Sequence, residues 1–407
     1  MTRRRLSREF ALVVVILVVG AALRLTGVDW DQGQHLHPDE RFLTMVATAI
    51  SAPDSIGEYL DTGASPANPA NVGHSFFVYG TFPLFLTKAL AAVLGLDSYA
   101  QVHLVGRVLS ALFDCGTILL TWLLGRLLAG ARVGLAAAAL IAVSVPSIQH
   151  AHFFTVDSFA AFFAAAALYG LLRVARGGPA GDHLLFAVSF GFALACRVNL
   201  VLLAPLYALA AARVVWLGRR PARQTLWYVA LATGLVALVF RIANPYAFAG
   251  PGFFDVSFSP AFLSSLSQIR DMVGGEVHFP PALQWVGRLP VLFAARNLFL
   301  WNLGPVWGVA TLAGMAWLLG RKGPVGTETE REGWALGRLV WLWAATLFLF
   351  HSSQFTATAR YFLPLLPSFA IFAVWPLAQG RPRRRSAVAL AVVLGATSLW
   401  ALAFTSI

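Results

Sequence analysis

The sequence predicts an all-α polytopic membrane protein of about eleven transmembrane helices, one domain over residues 1–407 with two long outer loops. Three observations predict it. Hydrophobic residues make up 58% of the chain and charged ones only 12%, and the mean hydropathy is +0.71. Several apolar runs approach the roughly 20 residues needed to cross a hydrocarbon core about 30 Å thick. Basic residues gather in alternate breaks between those runs. A soluble enzyme is thereby excluded. The net charge of +12 would suggest nucleic acid in a soluble chain, but here it reports orientation, and no nucleic-acid partner is expected.

Taken in order, the apolar runs place spans at about 9–26, 103–127, 132–150, 157–175, 184–197, 199–217, 225–243, 303–320, 334–351, 361–379 and 386–404. The first begins like a signal peptide, yet it is full length and lacks a small-residue cleavage site near Leu25 to Trp30, so it is expected to stay as a span. With a cytoplasmic N-terminus, the inner segments collect Arg3, Arg4, Arg5, Arg8, Arg126, Arg132, Arg173, Arg176, Arg213, Arg219, Arg220, Arg223, Arg321, Lys322, Arg331, Arg338, Arg381, Arg383, Arg384 and Arg385, which is 20 of the 30 basic residues. Tyr79 to Leu96 is also apolar enough to span, but counting it would turn the loops with Arg219 and Arg381 outward. With Pro83 and Lys88 inside it, this stretch reads as a helix lying in the outer interface. Cys115 and Cys196 sit inside apolar runs with no neighbour at metal-ligand spacing and read as small core residues.

The two long outer segments, 27–102 and 244–302, hold most of the remaining polar sequence. Of the nine histidines, His35, His37, His74, His103, His150, His152, His278 and His351 fall in outer loops or at outer span ends, and only His183 falls inside. The chemistry is therefore expected on the outer face.

Within the first loop, His35-Leu36-His37-Pro38-Asp39-Glu40-Arg41 sets two carboxylates beside two imidazoles. Pro38 and the acids also suit a helix start, but capping does not need the two histidines. Asp157, flanked by Phe153, Phe154 and Phe159, is costly in a nonpolar setting unless it faces a wet cavity or a cation. A helix cap made by Thr155 or Asp157 is the plainer reading of that turn. Arg197 and Arg360 interrupt or open apolar runs, and guanidinium forks hold phosphate oxygens bidentately. Snorkelling at the interface is their simpler explanation. Tyr246, Gln268, His278 and Tyr361 supply the rings and hydrogen-bonding groups that a sugar needs. Asp114 is expected to pair with an arginine inside the membrane.

These residues resemble the GT-C superfamily of membrane glycosyltransferases, particularly the dolichyl-phosphate-mannose protein mannosyltransferase (family 39) and aminoarabinose transferase group. The resemblance rests on Asp39-Glu40 in the first outer loop, the interfacial stretch 79–96, Gly106-Arg107-Val108-Leu109-Ser110-Ala111-Leu112-Phe113, Asp157 after the third span, and Arg360-Tyr361 with Pro364 and Pro367. It implies a polyprenyl-phosphate sugar donor, an acceptor hydroxyl outside the membrane, and a multi-pass location in a prokaryotic plasma membrane among its lipids. On that reading Asp39 is the expected base, with Glu40 as base or orienting partner and Asp157 positioning the acceptor. His37, Arg197, Tyr246, Gln268, His278, Arg360 and Tyr361 are the expected substrate contacts. A divalent cation shared by Asp39, Glu40, Asp157 and His152 is a further expectation, magnesium or manganese if the ligands are oxygens and zinc if imidazole joins them. The rival class is a transporter or lipid flippase, which commonly shows internal repeats and midplane charges on broken helices. Here the ionisable residues crowd one surface and repeats are not evident.

Overall fold

The computed structural model describes residues 3–277, 280–320, 327–379 and 384–405. Its α-helices run in the order α1 Arg3–Leu25, α2 Pro38–Ala49, α3 Ile56–Leu60, α4 Thr81–Leu94, α5 Val102–Ala129, α6 Ala131–Ala142, α7 Val145–Ala151, α8 Asp157–Ala175, α9 Ala180–Cys196, α10 Leu203–Trp216, α11 Ala222–Ala243, α12 Pro260–Gly274, α13 Leu292–Arg296, α14 Pro305–Gly320, α15 Glu328–Ser352, α16 Leu366–Ala378 and α17 Arg384–Thr405. No strand occurs among the described residues, only a single bridge between Phe248 and Phe258.

All eleven expected spans fall on helices. Seven helical stretches, α10 and α16 taken with the 3₁₀ turns leading into them, are long and apolar enough to cross a membrane, or eight if α6 and α7 form one span bent by 55°. Helices α9 and α14 have 17 and 16 residues, below the roughly 20 a crossing needs, and α1 carries Arg8, Glu9 and Arg24. Length and composition therefore license seven or eight crossings rather than eleven.

The bend between α6 and α7 has a specific cause. Pro146 has no backbone N–H to donate, so carbonyls in the preceding turn are freed. Arg24, fully buried on α1, fills the gap: its Nη1 donates to Ala142 O at 2.8 Å and its Nη2 to Ile141 O at 2.9 Å, while Nε meets Asp114 of α5 at 2.6 Å. The expected intramembrane partner of Asp114 is thus Arg24, and one guanidinium ties three helices together.

Charges segregate to the two ends of the bundle. At one end Glu332 receives Arg213 at 2.8 Å and Arg219 at 2.7 Å, Arg173 pairs with Asp182 at 2.7 Å, and Arg126 with Glu9 at 3.1 Å. The other end carries Asp39, Arg107, Asp157, Arg197 and Arg360. Helix α8 joins the two, from Asp157 to Arg173, and its 19 residues rise roughly 28 Å at 1.5 Å each. Helix α5 likewise runs from Arg107 to Arg126, and α15 from Glu332 to His351.

Both ends of α4 stay near the end that carries Asp39 and Arg360. Gly80 N–H donates to Cys196 O at 3.3 Å, at the close of α9, and α5 begins eight residues after Leu94. Glycine is required at position 80 because a Cβ there would stand 1.7 Å from Ala195 O. The first long segment is tied to the end of α11 and to the second long segment: Tyr59 Oη donates to Ile242 O at 2.6 Å, Thr81 Oγ1 to Ala243 O at 2.7 Å, and Thr62 Oγ1 to Phe248 O at 2.7 Å.

Candidate active site

Helix α2 starts with Pro38, whose missing N–H is no loss in a first turn. His37 precedes it and caps it, its Nδ1 accepting the Glu40 N–H at 3.4 Å. The imidazole also packs on Phe153 with ring centroids 4.4 Å apart. Burial lowers its pKa, Asp39 works against that and Arg360 reinforces it. A neutral ring is what an accepting nitrogen requires.

Capping aims Asp39 outward from the first turn, where it forms an ion pair with Arg360. Arg360 comes from the 3₁₀ turn Ala359–Leu365, 321 residues away in sequence. Both side chains keep some access, 15% for Asp39 and 21% for Arg360. Tyr79 lies beside the pair. Burial pushes its hydroxyl above the ordinary phenol range, and Asp39 adds to the rise, so it stays a neutral donor.

Asp157 opens α8 without capping it. The N-cap is Val156 with no side-chain bond, and Thr155 Oγ1 and Asp157 Oδ2 are both buried without a partner. Asp157 Oδ1 instead takes Arg197 Nη2 at 2.5 Å. Arg197 in turn lies 4.9 Å over the Tyr361 ring, whose face stacks near His351 at 5.0 Å, and Asn199 Nδ2 meets His351 Nε2 at 3.0 Å. Together with Leu200, Arg360 and Pro364 these side chains line one crevice. Asp157, Arg197, Arg360 and Tyr361 therefore meet, and Asp39 joins them through Arg360.

Of the two roles expected for Glu40, its position excludes the base and leaves the orienting partner. It is fully buried, with Oε2 receiving Arg107 Nε at 2.8 Å and Phe154 N–H at 2.7 Å, and Oε1 receiving Arg107 Nη2 at 2.5 Å. Arg107 is completed by Asp31 Oδ2 at 2.9 Å and Val28 O at 2.7 Å. Adjacent helical side chains point about 100° apart, so Asp39 reaches the crevice and Glu40 reaches the core. Gly106 makes room for this knot, since a Cβ there would lie 2.2 Å from Phe154 Cγ.

The expected cation set of Asp39, Glu40, Asp157 and His152 does not converge. His152 places Nδ1 2.7 Å from Ile148 O and Nε2 2.8 Å from Thr26 O, Glu40 is enclosed, and each aspartate is met by an arginine. Among the described residues Asp29, Asp31 and His103 bring ligand atoms within 4.8 Å of one another, a group that the sequence reading passed over because its members are 74 residues apart.

Tyr246 lines a separate cavity of about 60 Å³ with Thr62, Asn68, Ser75, Tyr79 and Asn244, its hydroxyl 2.8 Å from Ser65 Oγ. Tyr79 is common to that cavity and the Asp39 pair. Gln268 is exposed on α12, its Nε2 donating to Ser264 Oγ at 3.1 Å, so it stands apart from both. His278 lies outside the described residues. Tyr79 and Asn199 are not among the expected contacts, and His351 is expected only as a histidine at an outer span end. Asn199 adjoins Arg197 in sequence, whereas Tyr79 carries no local cue.

The architecture and the paired charges define a polytopic membrane protein with an arginine-rich, anion-competent vestibule at one end of its bundle. Residues 83–242 match the family model of the dolichyl-phosphate-mannose-protein mannosyltransferases, a stretch that includes Arg107, Asp157 and Arg197 but not Asp39 or Arg360. No curated protein sequence matches the chain. In structure it is similar to the archaeal oligosaccharyltransferase AglB from Archaeoglobus fulgidus in complex with an inhibitory peptide and a dolichol-phosphate, with TM-score 0.65, 15% identity, and coverage of 99% of this chain and 56% of that one. An A. fulgidus oligosaccharyltransferase in complex with Zn and sulfate matches with TM-score 0.63, 17% identity and coverage of 97% and 53%. ArnT from Cupriavidus metallidurans bound to undecaprenyl phosphate matches with TM-score 0.59, 15% identity and coverage of 98% and 64%. The chain thus spans little more than half the length of the oligosaccharyltransferases it matches. These likenesses are likenesses of fold: the chain shares the helical membrane fold of those structures.

Proposed function

We propose that this protein is a membrane glycosyltransferase that moves a sugar from a polyprenyl-phosphate carrier to an acceptor hydroxyl on the outer face of the membrane. The observation that carries the reading is that Arg197 and Arg360, 163 residues apart, line one crevice with Asp157, Arg197 paired with Asp157 and Arg360 with Asp39. Two fixed guanidinium groups suit a leaving phosphate, and the family match and the dolichol-phosphate and undecaprenyl-phosphate bound by the neighbours support the same donor class.

With the crevice closed by ion pairs, an entering lipid phosphate competes with Asp39 for Arg360. Its binding frees the carboxylate. Asp39 then takes the proton of the acceptor hydroxyl, the acceptor oxygen bonds to the anomeric carbon, and the bond from that carbon to the phosphate oxygen breaks. The lipid phosphate leaves with the electron pair, held by Arg360 and Arg197. A positioned base contributes about 10²–10⁴ in rate. Asp157 keeps Arg197 aimed, and the hydroxyl-lined cavity at Tyr246, joined to Asp39 through Tyr79, suits a sugar or its acceptor.

The test incubates membranes with labelled polyprenyl-phosphate sugars. Label is expected to leave the lipid with the wild-type chain and to stay on it with Asp39→Asn. Label that crosses the bilayer while still on its lipid would establish the flippase reading instead, and labelling of intact cells that put Asp39 and Arg360 inside would remove the outer-face assignment.

A further inference from the structure

We propose that Asp29, Asp31 and His103 bind one divalent cation of the zinc class at a site separate from the Asp39–Arg360 crevice, with His35 in reach of the fourth position. Four observations carry it. The ligand atoms of the three residues lie within 4.8 Å of one another, so small side-chain rotations bring them to the roughly 2.0–2.2 Å at which zinc takes nitrogen and carboxylate oxygen. His103 is 1% exposed, and neither ring nitrogen has a hydrogen-bond partner. A buried imidazole left without partners is costly, and a metal satisfies it directly.

Asp31 points the same way. Its Oδ2 is taken by Arg107 at 2.9 Å and by the Leu36 N–H at 3.1 Å, while the buried Oδ1 has no partner and is free to ligate. The charge count completes the case. Asp31 and Glu40 are both buried and share a single guanidinium, that of Arg107. The neighbouring Arg41 directs its Nε to the His35 carbonyl at 3.0 Å instead. Two buried carboxylates against one buried cation leave negative charge uncompensated, which a bound dication corrects. His35 Nδ1 is likewise buried and unpartnered, its ring centroid 4.3 Å from that of His103. One imidazole with carboxylates favours zinc over magnesium or calcium.

Such an ion joins the turn after α1 to the first turn of α5. Through Asp31, Arg107 and Glu40 it fixes the start of α2, and with it Asp39. Its role is positioning, and it does not depend on which substrate occupies the crevice.

The experiment strips purified full-length protein in detergent with a chelator, then titrates it with zinc ion alone and with cobalt(II) as a visible-absorption probe. One equivalent of zinc is expected to remain after gel filtration, to raise the unfolding temperature, and to be replaced by cobalt with a ligand-field spectrum. Asp29→Asn, an exposed position where folding is safe, is expected to weaken zinc binding by about tenfold or more and to cancel the thermal shift. His103→Gln should do the same more severely. Asp39→Asn and Asp157→Asn should keep the metal. Wild-type protein that retains no zinc overturns the proposal, as does binding that survives Asp29→Asn or that disappears with Asp39→Asn.

Discussion

Arg360 holds Asp39 across 321 residues of sequence, so the segment between α1 and α5 is latched to the last third of the chain. The latch makes each the other's competitor. On the proposed function, a lipid phosphate would reach Arg360 only as Asp39 lets go.

Asp39→Asn should therefore separate binding from transfer. The amide no longer competes for the guanidinium, so affinity for undecaprenyl phosphate should rise, while transfer falls by about 10²–10⁴ for want of a base. Arg360→Ala should weaken lipid-phosphate binding and spare acceptor binding. Titration with the lipid phosphate alone, beside single-turnover transfer, reads both arms. Weaker lipid binding in Asp39→Asn would refute the competition.

Glu40→Gln should behave quite differently from its neighbour. Asp31 still balances Arg107, but the amide sets a donor against the Arg107 or Phe154 N–H groups that the carboxylate accepts, a loss of about 1–3 kcal/mol, whereas Asp39, 15% exposed, keeps water in reach and its pair contributes about 1 kcal/mol or less. Thermal unfolding in detergent should show a marked drop for Glu40→Gln and little change for Asp39→Asn. Equal unfolding temperatures would mean that the Arg107 knot does not hold the loop.

The His37 cap carries a pH dependence of definite sign. Its folded pKa is lowered by burial, against the raising effect of Asp39, so below the ordinary histidine value of about 6.5 the unfolded chain binds a proton that the folded chain refuses. Stability contributed by the neutral cap is thus complete above that value and is lost as pH falls toward the folded pKa. Unfolding temperature measured from pH 7.5 to 5 should fall more for the wild type than for His37→Asn, which caps without titrating. Parallel curves would assign the cap no such role.

Arg24→Met should destabilise the protein by about 3–5 kcal/mol through the stranded Asp114. The double variant Arg24→Met/Asp114→Leu should recover only part of this, because the Ala142 carbonyl still loses its donor, while Ile141 O keeps the Ser144 N–H. Full recovery in the thermal unfolding of the double variant would reduce Arg24 to a simple counter-charge.

Local composition alone was enough to make the helical membrane architecture legible, and with it the gathering of chemistry at one end of the bundle, because a bilayer acts on each segment through its length and its charges. The same scarcity of charge singled out Asp39, Asp157, Arg197 and Arg360, since an ionised group near lipid needs a reason to be there. What only the tertiary structure decided is pairing. Asp39 and Glu40 are chemical neighbours with identical local cues, yet a turn of about 100° sends one to Arg360 and seals the other against Arg107. His152 turns to backbone carbonyls and His103 faces Asp31 for the same reason: the direction of a side chain depends on the helices packed around it, and that information lies tens or hundreds of residues away in the chain.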